Sequence, residues 1–556
     1  MSSSQPVPSA MTAEELVVQL AALQSELAAT KVEAAAKQAS LEDTVANLAY
    51  ENSILKRKLF GKRTERSFTS ELQLSLGDLL AVEADLQREL RDAVGEAEKA
   101  AGEPEPKGPK AKPKGRRNLA LSKLPRMLVE ILDEEREDPE SGCRRIGFDD
   151  SYQLMFRRGG YMVLVKRVAK YEVIHDGEAT VESAPQPATL FPRALLHTSV
   201  IAHLLISKFA LGVPHYRLEQ DLAAQGAPLD RGTMSRYIEH AGNTLGSTIV
   251  HAMWQDALAN AQVISTDATG ALIHPGKNKD GRAQGCKKGH FFTAVVDCDA
   301  VLFTYVEAHT STLVQNLFGT FRGYLQTDAS NVYDILERGP PPDGESGVHL
   351  VGCWAHLRRY FFEAAICRYP VGLQGLLRIR AVYAAERAAQ RAPVTERASM
   401  RDEHVRPLID DFFTWVHATR PLVAGSNLAT KALGYAKNQE GELRRVLEDP
   451  KLPLDNTRAE RALRKIVVGR KAWMFYGSDT HAEAAAALFS LIASCRLHKI
   501  DPFSYFEEIL RVLPYWPKDR YLELSPRHWA ETRRRLNSDE LDAVISSFEV
   551  PPPLTV

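Results

Sequence analysis

Two aspartates occupy settings in which a carboxylate calls for a cation or a partner. In AQVISTDATGALIH, Asp267 follows the β-branched pair Val263 and Ile264 and is followed by Ala271, Leu272 and Ile273. A carboxylate among apolar strand neighbours costs free energy unless a cation or a partner offsets it. In FRGYLQTDASNVYD, a short strand ending near Leu325 delivers Asp328. Taken singly, either acid reads as well or better as a turn or cap residue; an acid directly after a strand, twice, is what marks the pair. Between them, HFFTAVVD and AVLFTYVEA read as two strands joined by a turn near Asp297 to Asp299. The order predicts a mixed sheet with its first and fourth strands adjacent.

A third acid lies in LPLDNTRAERALRKIVVGRKAWMFYGS. Asp455, after Pro453, is placed to cap a helix that opens with Asn456 and Thr457 and carries Glu460 in its second turn. By residue type alone, Glu460 and Arg464 form a surface i,i+4 pair worth a few tenths of a kcal/mol. If Glu460 instead holds a metal, the basic residues Arg458, Arg461, Arg464, Lys465, Arg470 and Lys471 would face phosphates. Cys353 and His356 form a Cys-x-x-His pair after VHLVG. Two ligands do not close a zinc site, and both residues read equally as buried structural side chains.

These residues must be positioned by a chain of 556 residues, too long for one core. Residues 12–60 predict a helix with a coiled-coil seam. Leu16, Leu20, Leu23 and Leu27 form one set, and Leu41, Val45, Leu48, Asn52, Leu55 and Leu59 another, with a stutter near residue 30. The basic run LKRKLFGKRTERS follows, with Lys56, Arg57, Lys58, Lys62 and Arg63 as candidate phosphate contacts. Residues 101–117 are a linker by composition. YMVLVKRVAKYEVI, preceded by Gly159 and Gly160, predicts a β hairpin. YRLEQDLAAQGAPLDRGTMSRYIEHAG has the look of a helix-turn-helix, with Gly226 ending one helix, Asp230 capping the next, and Arg236 a candidate DNA contact.

Lys+Arg and Asp+Glu total 70 and 71, a formal net charge of -1, so any case for nucleic-acid binding rests on local patches. Six scattered cysteines without a Cys-x-x-Cys pair suit a reduced intracellular protein. The N-terminus has no basic stretch leading into an apolar core, and no apolar run approaches the ~18 residues of a membrane helix. A cytoplasmic protein, nucleoid-associated when bound, is expected, with no membrane partner.

The chain resembles transposases of the insertion sequence 66 family over most of its length. The resemblance rests on LFGKRTERS, LLISKFALGVPHYRLEQ, GCWAHLRRYFFEA and, above all, the block from LPLDNTRAERALRK to PFSYFEEIL. It implies Asp-Asp-Glu chemistry on an RNase-H-like core, with Asp267, Asp328 and Glu460 as catalytic and metal-binding residues. Cys353, His356 and Asn456 would support them, and Arg358, Arg359, Arg461, Arg464, Arg470 and Lys471 would contact DNA. The cofactor implied is a pair of Mg²⁺ ions, for which Mn²⁺ would substitute. Members of the family usually carry a zinc ribbon; here Cys143 alone remains of one cysteine pair and VIHDG stands in place of the other, so no zinc is expected.

The expected fold is a multi-domain α+β chain: an RNase-H-like α/β core with a helical insertion, preceded by a helical DNA-binding region and an N-terminal coiled coil. The expected boundaries are 1–66 coiled coil with its basic end, 67–125 linker, and 126–185 degenerate zinc-ribbon-like β subdomain. Then follow 186–260 helix-turn-helix-like region, 261–364 first part of the core, 365–450 helical insertion, 451–495 core helix with Glu460, and 496–556 C-terminal tail. The expected partners are transposon-end and target DNA, a second copy in at least a dimer, and small accessory proteins of the same element. Competing readings are another RNase-H-like nuclease, a catalytically silent DNA-binding descendant of a transposase, and a coiled-coil scaffold; the scaffold leaves the two strand-borne acids unexplained.

Overall fold

The chain divides into two units, 1–117 and 118–556. The computed structural model describes residues 119–554, with short gaps at 123, 158, 176–177, 275, 277–283, 298, 339–346 and 426, together with Gln38 alone. The expected coiled coil, its basic end with Lys56, Arg57, Lys58, Lys62 and Arg63, and the linker up to residue 118 therefore lie outside the described residues; the last part of the linker forms a short helical turn at Leu119–Leu121.

The described part opens with a four-stranded sheet. Strands β1 (Arg126–Ile131), β2 (Arg144–Arg157), β3 (Gly160–His175) and β4 (Glu178–Ser183) are centred on β3, which pairs with all three others. Gly159 and Gly160, at φ 119° and 157°, turn the β2–β3 hairpin where other residues would be strained. Val163, Leu164 and Val165 are all buried, so both faces of β3 are covered there. Cys143 hydrogen-bonds only locally, its thiol to the Ser141 carbonyl at 3.6 Å.

Four helices follow: α1 (Thr198–Leu205), α2 (His215–Ala224), α3 (Arg231–Leu245) and α4 (His251–Asn260). Gly226 takes φ 79° after α2, and Asp230 caps α3 by accepting from the Thr233 amide at 2.9 Å. Leu218, Leu222, Met234 and Ile238 form the buried seam between α2 and α3.

The central sheet has the order β7-β6-β5-β8-β9, from β5 (Val263–Ile273), β6 (Lys287–Val296), β7 (Ala300–Val306), β8 (Gly323–Gln326) and β9 (Val348–Val351). β6 runs antiparallel to both β5 and β7, whereas β8 pairs parallel with β5 and β9 with β8. Helix α5 (Ser311–Phe318) makes the crossover from β7 to β8. The first and fourth strands are thus adjacent, as the order of acids predicted.

After β9, α6 (Trp354–Ile366) leads into α7 (Pro370–Ala389), α8 (Val394–Met400), α9 (Arg406–Thr419) and α10 (Leu428–Asn438). These helices share a core of their own around Trp354, Phe361, Ile379, Phe412 and Leu433. The chain returns to the sheet through α11 (Thr457–Trp473) and α12 (Asp479–Leu497). α12 closes the β7 edge: Ser490 and Ser494, one turn apart, accept from the Phe303 and Val301 amides at 2.8 and 3.1 Å. Edge amides left bare would offer a template for association, and the two hydroxyls remove it. The other face of α12 packs against α3 so closely that a Cβ on Gly242 would stand 2.7 Å from Ala484. The segment expected as a tail is folded: α13 (Pro502–Val512) and α14 (Pro526–Arg535) bury Tyr505, Phe506 and Trp529 in the main core.

Candidate active site

The β5–β8 ladder pairs Ile264 with Leu325 and Ser265 with Gln326, and the β8–β9 ladder pairs Gln326 with Val351. Two residues beyond these last pairs come Asp267, still within β5, and Asp328 and Cys353, each two residues past the end of its strand. Asp267 is not at a strand end, as its sequence context suggested, but in the middle of β5, which runs on beside β6 after its pairing with β8 stops. Asp328 lies two residues past β8 and accepts from the Ser330 amide at 3.1 Å. Helix α11 packs across β5 and brings Glu460 to 3.8 Å from His356 Nε2.

The Asp267 carboxyl senses the other two. Burial, and then the charges of Asp328 and Glu460, push the Asp267 carboxyl up to about 7, with Arg359 opposing. Beneath them lies Tyr333, fully buried, whose hydroxyl is held protonated by burial and by the nearby charges of Asp328 and Asp267. The donor set, all carboxylate oxygen, is the kind that suits Mg²⁺, and a buried acid that resists ionisation is one that a cation would discharge. Among the described residues, no three His, Cys, Asp or Glu side chains converge closely enough to hold an ion as they stand.

Glu460 is positioned by an unusually well-tied approach. Arg401, buried with Glu386 in the helical insertion, uses all five N–H groups. Two meet the Glu386 carboxylate, and the others meet the carbonyls of Val446, Asp449 and Leu452, each at 2.8 Å. Arg397 donates to the Pro450 carbonyl at 3.0 Å, Gln326 to that of Pro453 at 2.8 Å, and the Trp354 amide to that of Leu454 at 3.2 Å. Tyr383 donates to Asp455 at 3.1 Å. Asn456 then donates from Nδ2 to the carbonyl of Thr266, beside Asp267, at 2.6 Å, and its amide points to Cys353 Sγ at 3.2 Å. Asp455 accepts from the Thr457 amide at 3.1 Å in a local turn, but α11 starts at Thr457 with Asn456 in the cap position and no side-chain cap, so Asp455 lies one residue before the cap it was expected to be.

Cys353 is fully buried and opens α6, so it positions backbone and does not face solvent. His356, on the first turn of α6, has one nitrogen near Glu460 and a buried Nδ1 without a hydrogen-bond partner among the described residues. Arg358 and Arg359 are exposed on α6, as are Arg461, Arg464 and Lys471 on α11 and Arg236 on α3, where it donates to Thr233. Arg470 differs: its guanidinium donates to the Gly270 carbonyl and to Thr269 Oγ1, tying α11 to β5. It is an anchor and not a free phosphate contact. The sequence reading missed Tyr333, Gln326, Arg401 and Glu386. Gln326, polar in an otherwise apolar strand two residues before Asp328, carried a signal; Arg401 is one arginine among many.

A mixed α/β protein with acids gathered at one end of its sheet, and with arginines and lysines on the helices beside them, is of a kind equipped to handle a polyanion. Residues 193–484 match the family model described as Transposase IS66 family, residues 490–526 that of the IS66 C-terminal element, and residues 47–129 that of Transposase C of IS166 homeodomain. The chain belongs to the IS66 transposase family. It is 26% identical over 525 residues to the uncharacterized protein y4qI of Sinorhizobium fredii, covering 91% of this chain and 94% of that one. A second protein of that organism, the uncharacterized y4jD, is 26% identical over 491 residues, covering 84% and 91%. Among solved structures, a Drosophila P element transposase strand transfer complex aligns at 8% identity and a TM-score of 0.20, covering 55% of this chain and 80% of that one. No helix among the described residues is long and apolar enough to cross a membrane.

Proposed function

We propose that the chain is a metal-dependent DNA transposase of the Asp-Asp-Glu type with an RNase-H-like core. The observation that carries this reading is the meeting of Asp267 and Asp328 on adjacent parallel strands, with α11 bringing Glu460 to the same sheet end. The five-strand order with three antiparallel strands followed by two parallel ones is the arrangement expected of such a core. Asp267, Asp328 and Glu460 would hold two Mg²⁺ ions, with Mn²⁺ able to replace them; no zinc is proposed. Bound there, the ions would supply charge stabilisation to the attacking and leaving oxygens of an in-line displacement.

Around that centre the chain's own groups bind and orient. Asn456 and Cys353 fix the approach of Glu460 to β5, and His356 Nε2 faces the Glu460 carboxylate. Arg359, whose charge reaches Asp267, and Arg358, Arg461, Arg464 and Lys471 are placed to neutralise phosphates. Water attacks the phosphodiester at a transposon end, the P–O bond breaks, and a 3′-hydroxyl leaves. That hydroxyl next attacks a target phosphodiester: its oxygen forms the new P–O bond as the target's own P–O3′ bond breaks and the target 3′-hydroxyl leaves, so the strands are joined without a covalent bond to the protein. Two ends processed together call for at least a dimer, and the small proteins of the element are proposed as accessory partners.

The test is cleavage of a labelled duplex carrying the inverted repeat that flanks the gene, with wild type and Glu460→Gln, each in Mg²⁺ and in EDTA. Metal-dependent nicking at the end that disappears in the variant is expected. Binding without nicking by the wild type, accessory proteins added, would instead identify a silent DNA-binding descendant. The unconverged carboxylates are the one observation that favours that second reading.

A further inference from the structure

Helix α11 ends in an unusual way. Met474 takes φ 68° and ψ -47°, and the Phe475 amide donates back to the Trp473 carbonyl at 2.8 Å. This is a three-residue turn of the strained hand, which a side chain adopts at a cost in free energy. The turn displays its side chains: Met474 is 68% and Phe475 43% exposed, and Leu272 on the neighbouring strand is 45% exposed. It is also held rigidly. The Met474 amide donates to the Arg470 carbonyl at 2.7 Å. On the far side, buried Tyr476 bridges to β5, donating to the Leu272 carbonyl at 2.9 Å and accepting from the His274 amide at 2.8 Å.

Two exposed lysines flank the apolar tip. Lys471 stands one turn before it, and Lys288 is opposite Leu272 across the β5–β6 ladder. Asp479, the acid that follows the turn, is already engaged by Lys287 at 2.8 Å and Tyr305 at 2.6 Å. Two side chains and a leucine are far too little apolar surface for a stable interface between proteins, which takes about 1,000 Å² or more. An apolar point flanked by lysines matches a base step flanked by phosphates.

We infer that Met474 and Phe475 form a wedge that stacks between base pairs of duplex DNA and parts them. The inference rests on the reading of the chain as a DNA transposase. Along α11 the tip is fourteen residues from Glu460, about 21 Å at helical rise. Along β5, Leu272 is five residues from Asp267, about 17 Å. With a base-pair step of about 3.4 Å, the parted step falls about five or six base pairs from the phosphate at the carboxylates.

The experiment places 2-aminopurine at successive positions of the end duplex and reads its fluorescence with the full-length chain. Glu460→Gln serves as the non-cutting background, and Met474→Asn with Phe475→Ser as the wedge variant; asparagine tolerates positive φ, so folding is preserved and checked by thermal melting. Brightening confined to one or two adjacent steps about five or six base pairs from the cleavage point is expected. The variant should lose it, with affinity for the duplex about tenfold lower. Cleavage by the wild type with no position brightening would overturn the wedge and leave the reading of the carboxylates intact. Brightening that survives in the folded variant would also overturn it. A change of sedimentation mass in the DNA-free variant would overturn it in favour of contact between copies. A wild type that does not bind the end duplex with the accessory proteins added would overturn both readings.

Discussion

The two ends of α11 are built in opposite ways. Before its first turn, the carbonyls of Val446, Asp449, Pro450, Leu452, Pro453 and Leu454 all accept a hydrogen bond, and Asn456 reaches across to β5. After its last turn, the chain makes a strained bend with two large apolar side chains in solvent. A carboxylate that shares an ion must be held to within about half an ångström, and only a dense net of directional bonds does that. A wedge needs no such placement; it needs a stiff base and an exposed tip. The difference shows where this fold concentrates its buried polar groups and where it accepts backbone strain.

The largest expected effect falls on the polar end. Asp267→Asn should reduce cleavage of the end duplex by about a thousandfold or more, with affinity for the duplex unchanged in a gel-shift assay. The same variant carries a pH signature. In the folded chain the Asp267 carboxyl titrates at about 7 against an ordinary 3.8, so its contribution to stability is fully present below pH 3.8 and is lost as pH rises through about 7. Urea denaturation in EDTA between pH 4 and 8 should therefore show a downward slope for the wild type that Asp267→Asn flattens.

Next in size is Arg401→Ala, which leaves Glu386 buried without its cationic partner and takes a donor from each of three carbonyls, at a cost of about 3–5 kcal/mol by urea denaturation. Arg401→Met with Glu386→Leu should recover much of that stability. If it also restores cleavage, the net of bonds around residues 446–456 is not what positions Glu460, and the contrast between the two helix ends weakens. Gln326→Ala should cost about 1–3 kcal/mol, because Ser265 loses an acceptor and the Pro453 carbonyl a donor. The smallest effect belongs to the apolar end. Met474→Gly should raise stability by up to about 1 kcal/mol through relief of the bend, measured by thermal melting. A loss instead would mean that the side chain is supported by packing and does not stand free.

Much of this was legible before any coordinates. The order of acids and strands predicted that β5 and β8 are neighbours. Gly226 and Asp230 marked the turn between α2 and α3, and Gly159–Gly160 the long hairpin, because positive φ and helix caps are demands that a few residue types meet locally. Other features were hidden because their partners are distant in sequence. Ser490 and Ser494 read as two polar residues in an alanine-rich helix, yet they seal the edge of β7, some 190 positions away. Arg470 read as one more phosphate contact, yet it binds β5. Arg401 and Glu386 meet in a helical insertion whose composition says only that it is helical.

The sequence by itself determined the order of the central strands, the turns and caps around them, and which acids lie on or beside them. Periodicity, turn chemistry and capping act within a few residues, and the pattern of each is written where it acts. Only the tertiary structure decided that residues 446–456 are held by the insertion and by Gln326, that Tyr333 lies beneath the two aspartates, and that Met474 and Phe475 are left in solvent. Those outcomes depend on which groups remain to be hydrogen-bonded or buried once the sheet and its helices have packed, a condition that no local stretch of sequence carries.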